Sequence, residues 1–450
     1  MFNHKDLEIT EGTIWKQVLL FFIPIVIGAF FQHLYGIVDT IIVGRGIGTL
    51  ALSAVGGSAS KLITMIINFF LGVSVGITAY ASRYAGKKDY RMIKSIAFNG
   101  LFSFSLIGIF VSAIGILFTP QFLSLLKTPP KTVELATIYL RTYLSGIVFC
   151  IIYNALAGIL RAMGDAKRPL YVLIFTSLLN IVLDIVFALV MGLGVFGVAI
   201  ATVLSQTVSA VILVKILMNA LQDTEHYSPK IEPVVIKDIM VIGVPSGLQS
   251  MMYSLSNIVV QTGVNTFGAL SVAAWVAYVR VDSIVDVFLS SLGGTVITFV
   301  GQNYGAGHMD RVYQSVRQIM IISYAMVLSL TLTFMVSRHF LLGLFTSNPE
   351  VVQVGASLMF VIMPMYLLSI PHRMLSQTLR GLGDSFVPML LTLVGVVGLR
   401  ILWVYLVLPF NRSLLVLGAC YPASGFLMSV IFYIYYKYKI RFLSLPFEES

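Results

Sequence analysis

Charge is what this chain has least of. Only 11% of its 450 residues are charged, where an ordinary soluble domain carries about 25%, and that deficit excludes most soluble folds. Cysteine is almost absent: Cys150 and Cys420 both fall inside apolar runs, so no disulfide framework is implied. The six histidines are scattered, and neither a cluster of His, Asp or Glu nor a Ser/His nucleophile pair marks a membrane-embedded enzyme. The chain is therefore read as a non-enzyme without a cofactor. Alternation is missing too. Runs such as VLIFTSLLNIVLDIVFALVMGLG show no period of two, which sets aside a transmembrane β-barrel. No repeated filter sequence suggests a channel. The opening MFNHKDLEITEG has mixed charge and leads into an apolar run with no small-residue cleavage site, so the first helix is expected to stay in place.

What is present is apolar length. With 58% hydrophobic residues and a mean hydropathy of +0.94, the apolar side chains cannot all hide in a globular core, and lipid is the expected surroundings. At roughly 35 residues per span and loop, the length accommodates about twelve helices. Apolar runs between charged, Gly or Pro breaks place them at 14–43, 51–81, 92–119, 133–160, 168–191 and 195–220, then 236–265, 271–302, 312–338, 351–379, 387–409 and 414–437. The polar stretch Asn219 to Pro233 is the linker. The expected organisation is a first six-helix lobe over 1–218, a cytoplasmic linker over 219–235, and a second lobe with a cytoplasmic tail over 236–450.

The net charge of +10 reports topology, not nucleic-acid binding, because the basic residues sit in short segments between apolar runs. Arg83, Lys87, Lys88, Arg91 and Lys94 follow the second span, Arg161, Lys167 and Arg168 the fourth, and Lys437, Lys439 and Arg441 the last. Alternate loops hold few. The positive-inside rule then puts both termini in the cytoplasm of a multi-pass protein of the cell membrane.

The halves repeat. Arg161-Ala-Met-Gly-Asp165 with Pro169 recurs as Arg380-Gly-Leu-Gly-Asp384 with Pro388, and Tyr84-Ala-Gly-Lys-Lys-Asp89 recurs loosely as Tyr304-Gly-Ala-Gly-His-Met-Asp310. Both offsets are close to 220 residues, which points to duplication of a six-span unit with both copies entering from the same side.

With these motifs, Val38-Asp39-Thr40, Gly44-Arg45-Gly46 and Gly301-Gln302-Asn303-Tyr304-Gly305-Ala306, the chain resembles the MATE (multidrug and toxic compound extrusion) transporters over essentially its whole length. The resemblance implies an all-α integral membrane fold of twelve transmembrane helices in two pseudo-symmetric six-helix lobes about a central cleft. It implies export of drugs or organic, often cationic, metabolites by alternating access, against inward flow of Na⁺ or H⁺. The alternative is a lipid-linked or polysaccharide flippase of a related two-lobe fold, which predicts a basic cleft and extra spans. The expected partners are a small organic substrate and the bilayer, with no nucleic acid, and the chain is expected to be a monomer.

Of nineteen acidic residues, Asp39, Asp184, Asp282 and Asp286 lie well inside predicted spans. Each costs about 2.5–3.5 kcal/mol at a helix centre, so each reads as functional unless it makes a structural hydrogen bond or ion pair. Asn180 and Asp184 share a helix face at i, i+4. Asp184 and Thr202 stand equally far from the turn at Leu193, and so at one depth. Asp39, near Gly44 at the same end of its helix, can join them. Two carboxylates, an amide and a hydroxyl offer oxygen ligands only, which suits Na⁺; the same carboxylates can carry protons instead, and a soft transition metal is not expected. The resemblance, in the branch with a DNA-damage-inducible member, makes Asp39, Asn180, Asp184 and Thr202 the cation site. It also makes Pro24 the place where the first helix bends. In the second lobe Asn180 and Asp184 fall opposite Leu399 and Trp403, with Arg400 beside them. Arg400 is expected to pair with Asp282 or Asp286. Nineteen methionines, thirty phenylalanines and twenty-one tyrosines suit an adaptable apolar cleft.

Overall fold

The computed structural model describes residues 8–222 and 227–443; residues 1–7, 223–226 of the linker and the tail from 444 lie outside the described residues. The chain is nearly all helix. Among the described residues, eleven helices are long and apolar enough to cross a membrane, and one bent pair makes a twelfth. In order they are α1 (Ile14–Ile47), α2 (Thr49–Gly86), α3 (Tyr90–Leu117), α4 (Pro130–Ser145 with Ile147–Ala162, bent by 45°), α5 (Lys167–Val190) and α6 (Gly194–Ala220). There follow α7 (Pro233–Asn265), α8 (Ala269–Gly305), α9 (Met309–Gly343), α10 (Pro349–Gly381), α11 (Phe386–Val407) and α12 (Leu414–Arg441). Each predicted span meets its helix within a few residues, because the charged and Gly/Pro breaks used to delimit them are the helix ends.

The described chain clusters into two compact units, Leu19–Gly247 and Leu248 onward, the latter joined by Ile9–Val18. In the first unit α2 packs on the second arm of α4, and α5 on α6. In the second, α8 packs on α9 and α10, and α10 on α12. The residues 9–18 are tied to the second unit by Arg311, whose guanidinium donates to the carbonyls of Ile9, Glu11 and Gly12 at 3.0–3.1 Å.

Inside the first unit, α2 and α7 cross at glycines. Gly72 and Gly76 on α2, four apart, meet Gly243 and Gly247 on α7, also four apart. A Cβ on Gly76 would lie 2.5 Å from the Gly243 nitrogen and the Ile239 carbonyl, and one on Gly243 would lie 2.7 Å from the Val73 carbonyl. Small residues at this spacing let two helix backbones touch where lipid supplies no hydrophobic drive.

The duplicated motif is a helix stop followed by a helix start. After α4, Gly164 has φ +94°, its N–H donates to the Arg161 carbonyl and the Asp165 N–H reaches back to the Leu160 carbonyl, both at 2.9 Å. After α10, Gly383 at φ +83° and Asp384 repeat the pair on Arg380 and Leu379 at 2.8 Å. This is a Schellman stop, and it requires the left-handed glycine. The aspartate then opens the next helix: Asp165 accepts from the Lys167 and Arg168 N–H groups at 3.0 Å. Asp384 takes Tyr435 at 2.5 Å and Lys439 at 3.2 Å. Gly164→Ala and Gly383→Ala should each destabilise by about 1–2 kcal/mol, the cost of a Cβ in this conformation, read as a lower melting temperature in detergent; an unchanged melt would remove this account of the motif.

The looser repeat is the same turn displaced by one residue. Lys88 (φ +56°) and Gly307 (φ +79°) are its left-handed positions, with Asp89 N–H on Tyr84 and His308 N–H on Asn303. Tyr84 is therefore opposite Asn303, not Tyr304, and the offset is 219, as from Arg161 to Arg380.

Candidate functional site

Two helices of the first unit, α1 and α5, carry the acidic residues, and α6 carries Thr202. The α-helical part of α1 ends at Ile41 and continues as a π-helical turn, Ile42–Ile47; that of α5 ends at Asp184 and continues likewise as Ile185–Val190. Asp39 and Asp184 thus both stand at the entry to a π segment, a local unwinding that recurs at functional sites. The two segments are held by an apolar cluster of Val43, Ala51, Ala188, Val195 and Val198, with Tyr139 packed against it. Gly197 lets α6 lie directly on α5, since a Cβ there would sit 2.7 Å from the Phe187 carbonyl carbon.

On this frame the Asp39 and Asp184 carboxyl groups lie close enough to interact with each other. Asp184 is fully buried, Asn180 and Thr202 are buried, and Asp39 is half-buried. Asp184 Oδ1 and Oδ2, Asp39 Oδ1 and both amide atoms of Asn180 are buried without a hydrogen-bond donor or acceptor matched to them. Buried polar atoms are normally satisfied, and a concentration of exceptions marks a place suited to a bound ion or water. Oxygen atoms predominate in the set, so the residues fit a hard monovalent cation or protons. Thr202 Oγ1 donates to the Val198 carbonyl at 3.1 Å, which leaves its lone pairs for a ligand. Removing that oxygen with Thr202→Val should weaken cation dependence about fivefold, the worth of one ordinary hydrogen bond, measured as the concentration of driving cation at half-maximal transport.

Asn180 and Thr202 also line a cavity with Gln32, Tyr153, Ser205 and Gln206. Sequence reasoning missed Tyr35 and Tyr139, whose phenols feel both carboxylates. It also missed Ser205 and Gln206, whose Oγ and Oε1 are unmatched as well. Ser205 and Gln206 follow Thr202 closely on α6, and that proximity was the available signal. Pro24 lies within α1, and Ile14–Ile41 runs through it as a single α-helix.

The second unit is arranged differently. Asp286 pairs with Arg373 at 2.5 Å, and Asp282 is met by the Tyr278 hydroxyl at 3.5 Å and by Tyr366. Arg400 pairs with neither aspartate, contrary to the expectation from sequence. Its partners are neutral: Ser256 Oγ and Asn257 Oδ1 at 3.2 Å, Ser424 Oγ at 3.4 Å, and the Tyr421 ring at 4.2 Å. Arg373, one residue after His372 on α10, reaches α8, which spacing along the chain does not reveal. The position opposite Asp184 begins a π segment again, Trp403–Val407, with the indole donating to the Val416 carbonyl at 2.9 Å. The backbone device is kept and the acid is gone.

The MatE family profile matches the chain twice, over residues 24–186 and 245–406. "Probable multidrug resistance protein YoeA" of Bacillus subtilis is 28% identical over 440 residues, 95% of each chain. "Probable multidrug resistance protein YpnP" of the same organism is 30% identical over 353 residues, covering 78% of this chain and 79% of its own. A solved outward-facing MATE family transporter superposes with a TM-score of 0.89 at 23% identity, over 99% of this chain and all of the other.

Proposed function

We propose, from the premise that the chain belongs to the MatE family, that it is an antiporter which exports drugs or organic, often cationic, metabolites in exchange for an inward-moving cation. The observation that carries this reading is the pair of carboxyl groups, Asp39 and Asp184, in mutual reach with their buried oxygen atoms unmatched. The curated relatives named as multidrug resistance proteins support the cargo class. Asp39, Asn180, Asp184 and Thr202 form the coupling site, and Na⁺ or H⁺ is the ion. A cation offsets the repulsion of the two carboxylates and so favours the conformation in which they are close. Export follows if substrate favours the other conformation, since coupling is the difference in affinity of each ligand for the two states. The polar cavity lined by Asn180, Thr202, Ser205 and Gln206 supports the reading, because it shares Asn180 and Thr202 with the coupling site. No covalent step is required. The excess of Lys and Arg in alternate loops supports a plasma-membrane protein with cytoplasmic termini.

The test is efflux of a fluorescent cationic dye from proteoliposomes carrying the purified chain, with a sodium gradient and a pH gradient imposed separately. One gradient should drive efflux and thereby identify the ion. If neither does, the reading is wrong.

A further inference from the structure

The second unit holds a small pocket which the coupling site does not use. Tyr253, Tyr366, Tyr421, His372, Arg373 and Arg400 line it. Arg400 is 8% exposed, and among the described residues no carboxylate lies within ion-pair distance of it. Its Nε and Nη1 are spent on hydroxyl and amide oxygens, and no hydrogen bond engages Nη2. Arg373 beside it is already neutralised by Asp286. A guanidinium held this deep with neutral partners is costly unless an anion joins it. The seat is fixed from several sides, by Ser256 and Asn257 on α7, by Ser424 on α12, and by the Tyr421 ring under the guanidinium plane. The tyrosine rings around it offer faces to an apolar or aromatic body.

We propose that this pocket binds an oxyanion, a carboxylate or phosphate carried on an aromatic or apolar body, through the Nη2 edge of Arg400. Duplication supports the assignment. In the first unit the corresponding stretch of α5 carries Asn180 and Asp184 and presents unmatched oxygen atoms; in the second, α11 carries Leu399, Arg400 and Trp403 and presents an unmatched guanidinium edge. The two copies of one backbone would then take ligands of opposite charge. As a subsite for exported cargo the pocket rests on the transporter reading; as an anion site it stands without it.

The experiment is equilibrium binding to the full chain in detergent, with no gradient, so that it cannot fail merely because coupling fails. The probes are dansylglycine and its uncharged analogue dansylglycinamide. The acid should bind at least about tenfold more tightly, as a charge-assisted hydrogen bond implies. Arg400→Gln should equalise the two and Arg400→Lys should keep part of the preference, while Asp184→Asn should keep all of it. Should Arg400→Gln not fold, the acid-to-amide ratio in the wild type and in Arg400→Lys carries the test. Equal affinities in the wild type, or a preference intact in Arg400→Gln, overturn the proposal. Displacement of bound dansylglycine by salicylate assigns the anion to soluble organic acids, and displacement by dioctanoyl phosphatidylglycerol alone assigns it to a lipid headgroup. Displacement by neither overturns the site.

Discussion

Asp184→Asn and Asp39→Asn should each lower gradient-driven dye efflux by roughly 100-fold, toward the upper end of site-to-site couplings, without loss of folded protein. Asparagine keeps the size of the side chain and removes the charge on which cation attraction depends. It also removes the charge from one of two neighbouring carboxyl groups in a site shielded from water, and relieving that repulsion and desolvation should cost no stability. Transport and stability should therefore part company: efflux collapses while the melting temperature holds or rises. A structural aspartate would do the reverse, with the melt falling and transport per folded molecule unchanged. Asp184 should show the sharper separation, because it is fully buried whereas Asp39 is half-buried.

Gly76→Leu should abolish recovery of folded protein. The added Cβ alone meets the Gly243 nitrogen and the Ile239 carbonyl at 2.5 Å, and neither is the flexible end of a side chain that can swing aside. Overpacking of a well-packed site costs about 1–3 kcal/mol, and here α2 must separate from α7 along the length of the Gly72/Gly76 and Gly243/Gly247 contact. The loss is read as aggregation in size-exclusion chromatography after detergent extraction. Gly294→Ala is the control, since nothing lies within 4 Å of the Cβ it would add, and it should behave as wild type. A monodisperse, thermally stable Gly76→Leu would show that the crossing tolerates a side chain.

The helices were legible because their ends are chemical events. Lys167 after the Gly164-Asp165 stop or Asp89 before α3 marks a boundary without tertiary information, and the twelve spans follow. The shared cavity of Asn180 and Thr202 was legible for a similar reason: helical spacing and one tight turn set their depth. Three features were not. The π segments after Asp39 and Asp184 depend on packing of Val43 against Ala188 and Val195, not on local propensity. The pairing of Tyr84 with Tyr304 failed because like residues were aligned, while backbone sign aligns Lys88 with Gly307. The partner of Asp286 depends on which α10 residue faces α8, and Arg373 is nearer in space than the more conspicuous Arg400.

The central claim is that a cation and a cargo molecule share one pair of carboxylates through opposite conformational preferences. The most direct test measures both fluxes at once in the same proteoliposomes: entry of the driving ion and exit of the dye, for wild type and Asp184→Asn. The account predicts ion entry that begins only when dye is present, holds a fixed ratio to dye exit, and disappears with it in Asp184→Asn. Ion entry at the same rate without dye, or wild-type dye exit from Asp184→Asn, would contradict it.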